Sequence, residues 1–215
     1  MEKRQAIVML GIPASGEGTQ ADILAKRIGA NIIGIGDLVR AEIKNADRYS
    51  GRIKQIKEDY DKGIPQKDEL IKELLDEEVE KSRGDLIFDN YPFSAAQITD
   101  FEQLIKKYNF SSPKIIYIKV DPESAIKRIS TRRICDKCKK IYLDGESGAL
   151  CHTDGCTGHL TQRPDDKYEV MKSRVEYAKP RIDHILKHYG GSDRVFGVNG
   201  EQTIARVAKQ IEEII

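Results

Sequence analysis

The chain has 215 residues, of which 39% are hydrophobic and 33% charged, with a formal net charge of +1 at pH 7. This length fits one domain of ordinary size with small insertions, and the balanced charge gives no indication of a nucleic-acid or membrane partner. No apolar stretch approaches the roughly 20 residues of a membrane span, and no signal peptide precedes the first apolar run. We therefore expect a cytoplasmic protein and, without any signal for assembly, a monomer.

Five short runs are rich in β-branched or aromatic residues without strict alternation, which is typical of strands buried on both faces. They cover residues 6–12, 31–35, 85–90, 114–120 and 194–198. Seven helix-like segments lie between and after them, at residues 18–28, 36–45, 67–81, 95–108, 122–131, 166–189 and 202–215. The alternation predicts an α/β fold with a five-stranded parallel sheet and helices on both faces.

Two stretches interrupt this alternation, a charged region at 46–66 and a region at 134–160 that contains all four cysteines. We expect residues 1–215 to form a single domain whose core comprises residues 1–35, 67–133 and 162–215. The remaining parts, residues 36–66 and 134–161, are then insertions that can cover a site at the ends of the strands.

The segment GIPASGEGTQ, residues 11–20, follows the first strand. Gly11 and Gly16 frame a loop in which backbone N–H groups and the next helix N-terminus can hold an anion. Thr19 can offer its hydroxyl to a magnesium ion or a phosphate. The phosphate-binding pattern G-x-x-x-x-G-K has a lysine after its last glycine, whereas this chain has Glu17. The alternative is a glycine-containing turn without a ligand.

This segment resembles the phosphate-binding loop of the adenylate kinase family, G-x-P-G-x-G-K-G-T-Q. The matching residues are Gly11, Pro13, Gly16, Gly18, Thr19 and Gln20. The chain departs at Ala14, where the family has glycine, and at Glu17, where it has lysine. The resemblance extends over nearly the whole chain. It implies a P-loop NTPase-like three-layer fold that binds ATP, with Mg²⁺, as the phosphoryl donor. The resemblance places the ATP phosphates at Gly11, Gly16, Gly18 and Thr19.

The segment GIGDLVRAEI, residues 34–43, resembles the family's T-G-D-M-L-R segment, which lines the nucleoside monophosphate pocket. The resemblance implies that Asp37 and Arg40 bind AMP. Arg40 would pair with its phosphate, for which a planar guanidinium is well suited. Ile35 stands where the family usually has threonine or serine, which leaves room for another base. The alternative for Arg40 is a surface charge on a helix.

The segment DNYPFSAAQ, residues 89–97, resembles the family's D-G-F-P-R-T-x-x-Q. The resemblance implies that Asp89 holds magnesium through water and that Gln97 reads the adenine of AMP. Asn90 replaces a glycine, and Phe93 replaces an arginine that contacts the AMP phosphate in the family. The alternative is a strand end followed by an ordinary turn.

Four arginines lie in three further segments that resemble the family, AIKRISTRR (125–133), LTQRPDD (160–166) and EVMKSRVEY (169–177). The resemblance implies that these arginines clamp the transferring phosphoryl group: Arg128, Arg132, Arg163 and Arg174. It also places Arg128 on the ATP side, Arg163 and Arg174 on the AMP side, and Asp165 and Asp166 in hinge and catalytic positions. Taken singly, each arginine could be a solvated helix charge.

The four cysteines form two pairs, CDKC at 135–138 and CHTDGC at 151–156. In a reducing compartment, paired cysteines favour a tetrahedral zinc site over disulfides. We expect a structural Zn²⁺ held by Cys135, Cys138, Cys151 and Cys156, as in the zinc-containing lids of some adenylate kinases. Because four residues separate the second pair, His152 or Asp154 could replace Cys151. Reduced cysteines without metal are the alternative, and the few aromatics nearby disfavour a nucleic-acid zinc ribbon.

The resemblance implies reversible transfer of the γ-phosphoryl group of ATP to AMP, giving two ADP. Glu17 and Phe93 each remove a cation from this centre, and one charge pair about 4 Å apart is worth roughly 4 kcal/mol at an effective dielectric near 20. A cation from elsewhere, for which Lys127 is a candidate, could compensate. The alternatives are a catalytically impaired nucleotide-binding protein with the same fold, or a kinase for another nucleoside monophosphate.

Overall fold

The computed structural model describes residues 3–44, 50–143, 145–162, 166 and 168–215. Its strands are β1 (Ala6–Leu10), β2 (Asn31–Gly34), β3 (Leu86–Asp89), β4 (Lys114–Lys119), β5 (Arg133–Cys135), β6 (Ile141–Tyr142), β7 (Leu160–Thr161) and β8 (Val195–Asn199). Five of them form a parallel sheet in the order β2-β3-β1-β4-β8. The other three form a small antiparallel sheet in the order β6-β5-β7.

The described helices are α1 (Glu17–Ile28), α2 (Ile35–Lys44), α3 (Ser50–Asp61), α4 (Asp68–Lys81), α5 (Ala95–Lys107), α6 (Pro122–Thr131), α7 (Tyr168–Tyr189) and α8 (Ile204–Glu212). Among the residues that the structure describes, no helix combines the length and the apolar character that crossing a bilayer would need.

The hydrophobic core lies on both faces of the parallel sheet, because successive strand residues point to opposite sides. On one face Val8 and Phe88 pack in a cluster with residues of α4, α5 and α7. On the other face Ile7 and Ile116 pack in a second cluster with residues of α1 and α8. This arrangement confirms the predicted three-layer α/β fold with a five-stranded parallel sheet.

The predicted elements agree with the structure except at their ends and in the two interruptions. Helix α1 begins at Glu17 and α2 at Ile35, each one residue earlier than predicted. Within the stretch predicted as a charged interruption, the structure has helix α3, which buries Ile53 and Ile56. The small antiparallel sheet was not predicted either, because its strands are only two or three residues long.

Candidate functional site

The loop between β1 and α1 leaves the central strand of the sheet at its carboxyl end. A side chain at Gly11 would overlap the hydroxyl of Ser15, so glycine there allows Ser15 to turn into the loop. Ala14 and Gly16 adopt left-handed backbone conformations with φ of 68° and 102°. Left-handed residues that alternate with right-handed ones can form a nest of N–H groups that binds an anion, so the backbone of this loop is compatible with anion binding.

The side chain of Glu17 folds back into this loop and is 7% exposed as a residue. Its Oε2 accepts hydrogen bonds from Ser15 Oγ at 2.8 Å and from Gly16 N at 2.9 Å. Its Oε1 accepts a hydrogen bond from Asn90 Nδ2 at 3.1 Å. Burial raises the pKa of Glu17, whereas the hydrogen bonds and the charge of Arg132 act in the opposite direction. A carboxyl group therefore lies where the loop would hold an anion.

Asp89 lies at the carboxyl end of β3, which is the neighbour of β1 in the sheet. A Cβ added at Gly18 would lie 3.4 Å from Asp89 Oδ2, so the carboxylate faces the first turn of α1. Thr19 belongs to the same turn. The structure thus brings together the predicted loop residues and the predicted magnesium-binding carboxylate.

Two of the four predicted arginines lie at this edge of the sheet. Arg128, on α6, donates a long hydrogen bond of 3.4 Å from Nη1 to the carbonyl of Ser15 and one of 2.8 Å from Nη2 to the carbonyl of Gly200. Arg132 binds Asp166 through both Nε and Nη2, and the Asp166 side chain is 1% exposed. This bidentate ion pair fixes the guanidinium of Arg132 at the end of α6.

Of the other two predicted arginines the structure describes Arg174, and it also describes Lys127, the candidate substitute cation. Arg174 lies on α7 and donates from Nη1 to the sulfur of Met171 at 3.8 Å. Arg163 and Asp165 lie outside the described residues. Lys127 is exposed on α6, next to Arg128, which contacts the loop.

Arg40 and Asp37 lie together on α2, which starts directly after β2. Arg40 donates from Nη2 to Asp37 Oδ1 at 2.6 Å and from Nη1 to the hydroxyl of Tyr60 at 2.9 Å. A Cβ at Gly36 would lie 3.0 Å from the Arg40 guanidinium, so glycine at this position lets the side chain fold back. Burial acts to lower the pKa of Arg40, but the hydrogen bonds that it donates to Asp37 and Tyr60, together with their charges, raise the pKa above its ordinary value. Arg40 therefore carries a permanent positive charge.

Gln97 is buried near the start of α5, and neighbouring residues fix both ends of its amide. Its Nε2 donates to Asp68 Oδ1 at 2.6 Å, and its Oε1 accepts from Phe93 N at 2.7 Å. Ser94 Oγ donates to the other carboxylate oxygen of Asp68 at 3.0 Å. Asp68 was missed in the sequence because an acidic residue in the first turn of a helix is an ordinary helix-start signal.

The ring of Phe93 stacks on Tyr177, with ring centroids 6.4 Å apart and an interplanar angle of 29°. The guanidinium carbon of Arg181 lies 3.2 Å from the centroid of the Tyr177 ring. The position that holds an arginine in the family is thus part of an aromatic stack between α7 and the β3–α5 connection.

The four cysteine sulfurs all lie within 4.8 Å of one another: Cys135, Cys138, Cys151 and Cys156. The pairs Cys135–Cys156 and Cys138–Cys151 are each 3.6 Å apart. Thiolates bound tetrahedrally at about 2.3 Å lie roughly 3.8 Å apart, so the cluster fits a zinc ion. His152 and Asp154 are exposed, and Cys151 belongs to the cluster, which favours Cys151 over both alternatives as a ligand.

Other groups of this region hold the cysteine sulfurs in place. The hydroxyl of Tyr142 lies 3.2 Å from Cys151 Sγ and 2.7 Å from Thr153 Oγ1. Backbone N–H groups of Lys137 and Cys138 each donate to Cys135 Sγ at 3.4 Å. Hydrogen bonds, first that from Tyr142 and then those from Thr153 and Cys135, lower the pKa of Cys151 to about 5. Such bonds to sulfur stabilise thiolates, which is the form that binds metal.

Comparison with known proteins places the chain in one family. The sequence profile of the family "Adenylate kinase" matches residues 9–194. The adenylate kinase of Thermosipho melanesiensis is 32% identical over 97% of this chain and 98% of the relative. The adenylate kinase of Caldicellulosiruptor bescii is 30% identical over 95% and 96%, and that of Erythrobacter litoralis is 30% identical over 97% and 99%. The chain belongs to the adenylate kinase family.

Proposed function

We propose that this nucleoside monophosphate kinase transfers the γ-phosphoryl group of ATP to AMP, reversibly, giving two ADP. Membership of the family supports a kinase of this class. The observation that carries the proposal is the convergence of three elements at the carboxyl edge of the sheet. The glycine loop lies after β1, Asp89 ends β3, and Arg128 reaches the loop from α6.

On the donor side, we assign the ATP phosphates to Gly11, Gly16, Gly18 and Thr19, with Arg128 beside them. The nest of the loop and the N-terminus of α1 offer N–H groups to phosphate oxygens. Asp89 and Thr19 are the residues that would hold Mg²⁺, whose charge neutralises phosphate oxygens when it is bound with ATP. Arg128 also forms an ion pair at 3.3 Å with Glu201, which lines an open cleft of about 450 Å³ together with Lys119, Asp121 and Asn199, among others.

On the acceptor side, we assign AMP to Arg40, Asp37, Gln97, Arg163 and Arg174. Arg40 is charged and held in place by its hydrogen bonds to Asp37 and Tyr60, so it can pair with the AMP phosphate without reorganising. Asp68 holds the amide of Gln97, which fixes the direction of any hydrogen bond to a base.

Phosphoryl transfer depends on positioning and on stabilising charge on the transferred group. We assign this task to Arg132, Arg163 and Arg174, together with Arg128 and Asp89. Asp166 holds the guanidinium of Arg132 in a fixed orientation. We further propose that residues 36–66 and 134–161 are insertions that close over the nucleotides and exclude water.

The second cofactor in this proposal is a structural zinc ion. Cys135, Cys138, Cys151 and Cys156 would fill all four positions of a tetrahedral site, which leaves no position for a reacting water. The ion would stabilise the fold of the small antiparallel sheet and take no part in the transfer. Removal of zinc is therefore expected to lower the stability of residues 134–161 and to have little effect on the phosphoryl-transfer step itself.

Two observations favour variants of this function. The buried carboxyl of Glu17 in the loop favours a slow kinase over a fast one. On the acceptor side, Phe93 places an aromatic ring where the family has a phosphate-binding arginine, and Ile35 stands where the family usually has threonine or serine. Both differences favour a test of other nucleoside monophosphates as acceptors.

Steady-state assays test the proposed reaction. The zinc-loaded protein is incubated with MgATP and one acceptor per reaction, either AMP, GMP, CMP or UMP. Formation of nucleoside diphosphates is followed by chromatography. We expect ADP from the AMP reaction, its loss in Arg132→Met, and its retention in the control Arg83→Met, an exposed arginine outside the site. Product from a different acceptor alone would reject AMP, and no product with any acceptor would reject the kinase reaction.

A further inference from the structure

The phosphate-binding loop already holds a negative group of its own. The carboxylate of Glu17 accepts hydrogen bonds from the N–H of Gly16 and the hydroxyl of Ser15, at 2.9 and 2.8 Å. These are donors that the loop would otherwise present to a phosphate oxygen. The carboxylate of Glu17 resembles a phosphate as an acceptor, because both carry negative charge delocalised over oxygen atoms. The loop donors therefore bind an anion that belongs to the chain itself.

Ser15 is committed to this contact by packing as well as by hydrogen bonding. The residue is 3% exposed, and its Oγ lies directly over the Cα of Gly11, where no side chain intervenes. Its backbone N–H is already used by the carbonyl of Ile12 at 2.9 Å. The hydroxyl is therefore held at the floor of the loop, with Glu17 as its acceptor.

Asn90 holds the other oxygen of the same carboxylate. Its backbone N–H donates to the carbonyl of Met9 at 2.9 Å, which anchors it to β1, and its φ is 59°. Asparagine tolerates this left-handed conformation, so the side chain is presented without severe strain. Its Oδ1 is buried without a hydrogen-bond partner among the residues that the structure describes, so Glu17 alone orients this amide.

We infer that the carboxylate of Glu17 is an internal occupant of the phosphate-binding loop, that Ser15 and Asn90 hold it there, and that the phosphates of ATP bind only after it leaves. The inference rests on the proposed function, since it concerns the same loop. Asn90 acts as a positioning residue, because it contacts Glu17. The apparent affinity for ATP is then the intrinsic affinity multiplied by the fraction of molecules whose loop is vacated.

Calorimetric binding of two probes, MgATP and inorganic tripolyphosphate, tests the inference at pH 8. Tripolyphosphate reports on the loop without any contribution from the adenine. The proteins are the zinc-loaded wild type, Glu17→Gln, Asn90→Gly and the double variant. The matched control is Asn109→Gly, which also has a positive φ, of 53°, but lies between α5 and β4 at the opposite edge of the sheet.

Both single variants are expected to bind both probes about tenfold more tightly or better, the size of one hydrogen bond to a charged group. The double variant should bind no more tightly than Glu17→Gln, because Asn90 has nothing to hold once the carboxylate is gone. The control should match the wild type. The inference would be overturned by unchanged or weaker binding in either Glu17→Gln or Asn90→Gly. It would also be overturned if the gains of the two single variants added up in the double variant.

The same proteins, assayed for ADP formation from ATP and AMP, separate this inference from the proposed function. Tighter binding in the variants with no ADP from any of them would support the internal occupant and reject the AMP kinase reaction. ADP formation with unchanged affinities would support the reaction and reject the internal occupant.

Discussion

Asn90 donates a hydrogen bond to Glu17 across 3.1 Å, although 73 positions separate the two residues in the chain. In the sequence they are departures from the family in two different motifs, a glutamate in place of lysine and an asparagine in place of glycine. The contact joins them into one local change. It also gives the unusual carboxyl group a defined position inside the loop.

The titration of Glu17 should make stability depend on pH. Burial raises its pKa above the ordinary value of 4.5, with the hydrogen bonds and Arg132 opposing this effect. The contribution of Glu17 to stability is therefore fully present below 4.5 and is lost as pH rises through the folded-state pKa. Urea unfolding from pH 4.5 to 8 should show the wild type losing stability relative to Glu17→Gln. Both proteins share all other titrating groups, and a constant difference would contradict the expectation.

Phe93→Arg should restore a cation on the acceptor side. A guanidinium can stack on the ring of Tyr177 as the phenyl ring does, so the fold should tolerate the change. The KM for AMP is expected to fall by about tenfold, the effect of one added charge-assisted hydrogen bond, with the KM for ATP unchanged. Steady-state kinetics measure both, with Phe93→Leu as the uncharged control. An equal gain in Phe93→Leu would show that loss of the ring, and not the charge, is responsible.

Asp68→Asn should loosen the amide of Gln97. The carboxylate of Asp68 accepts from Gln97 Nε2 and from Ser94 Oγ, and a neutral amide keeps its shape but weakens both bonds. We expect the KM for AMP to rise by about tenfold with little change in kcat, because the acceptor base would be held less firmly. The control is Asp76→Asn, a partly exposed carboxylate on the same helix. A fall in kcat at constant KM would contradict a positioning role.

Tyr142→Phe should weaken zinc binding while leaving the four cysteines intact. The hydroxyl of Tyr142 lies 3.2 Å from Cys151 Sγ, and loss of a group that orients a metal ligand typically lowers affinity by about tenfold or more. Competition with a chromophoric chelator measures the affinity, and Tyr168→Phe, an exposed tyrosine on α7, is the control. Equal affinities in wild type and Tyr142→Phe would mean that the hydroxyl does not support the site.

The parallel sheet was predictable because its strands are continuous apolar runs, such as residues 6–10, that the structure buries completely. Helix α3 was not predictable, since its sequence is dominated by charged and polar residues. Among its residues whose side chains the structure describes, from Ile53 onward, Ile53 and Ile56 are the buried ones. Its apolar residues are too sparse to show a helical period.

The candidate site was predictable where residues follow a local motif, as Gly11, Asp89 and Arg128 do. The contacts of Glu17 were not predictable, because they depend on the pairing of β1 with β3, which brings a loop and a distant asparagine together. Charge arithmetic on the sequence counted Glu17 as the loss of a cation from the loop. It gave no indication that the carboxylate would fold into the loop and accept its hydrogen bonds.

The rate of ADP formation from MgATP and AMP, compared between the wild type and Glu17→Lys, tests the central claim most directly. Glu123→Lys, an exposed glutamate in the first turn of α6, provides the same charge change outside the loop. We predict slow transfer by the wild type, an increase in kcat/KM of at least about tenfold in Glu17→Lys, and no increase in the control. Rapid transfer by the wild type that Glu17→Lys leaves unchanged or lowers would contradict the claim that Glu17 obstructs the phosphate-binding loop.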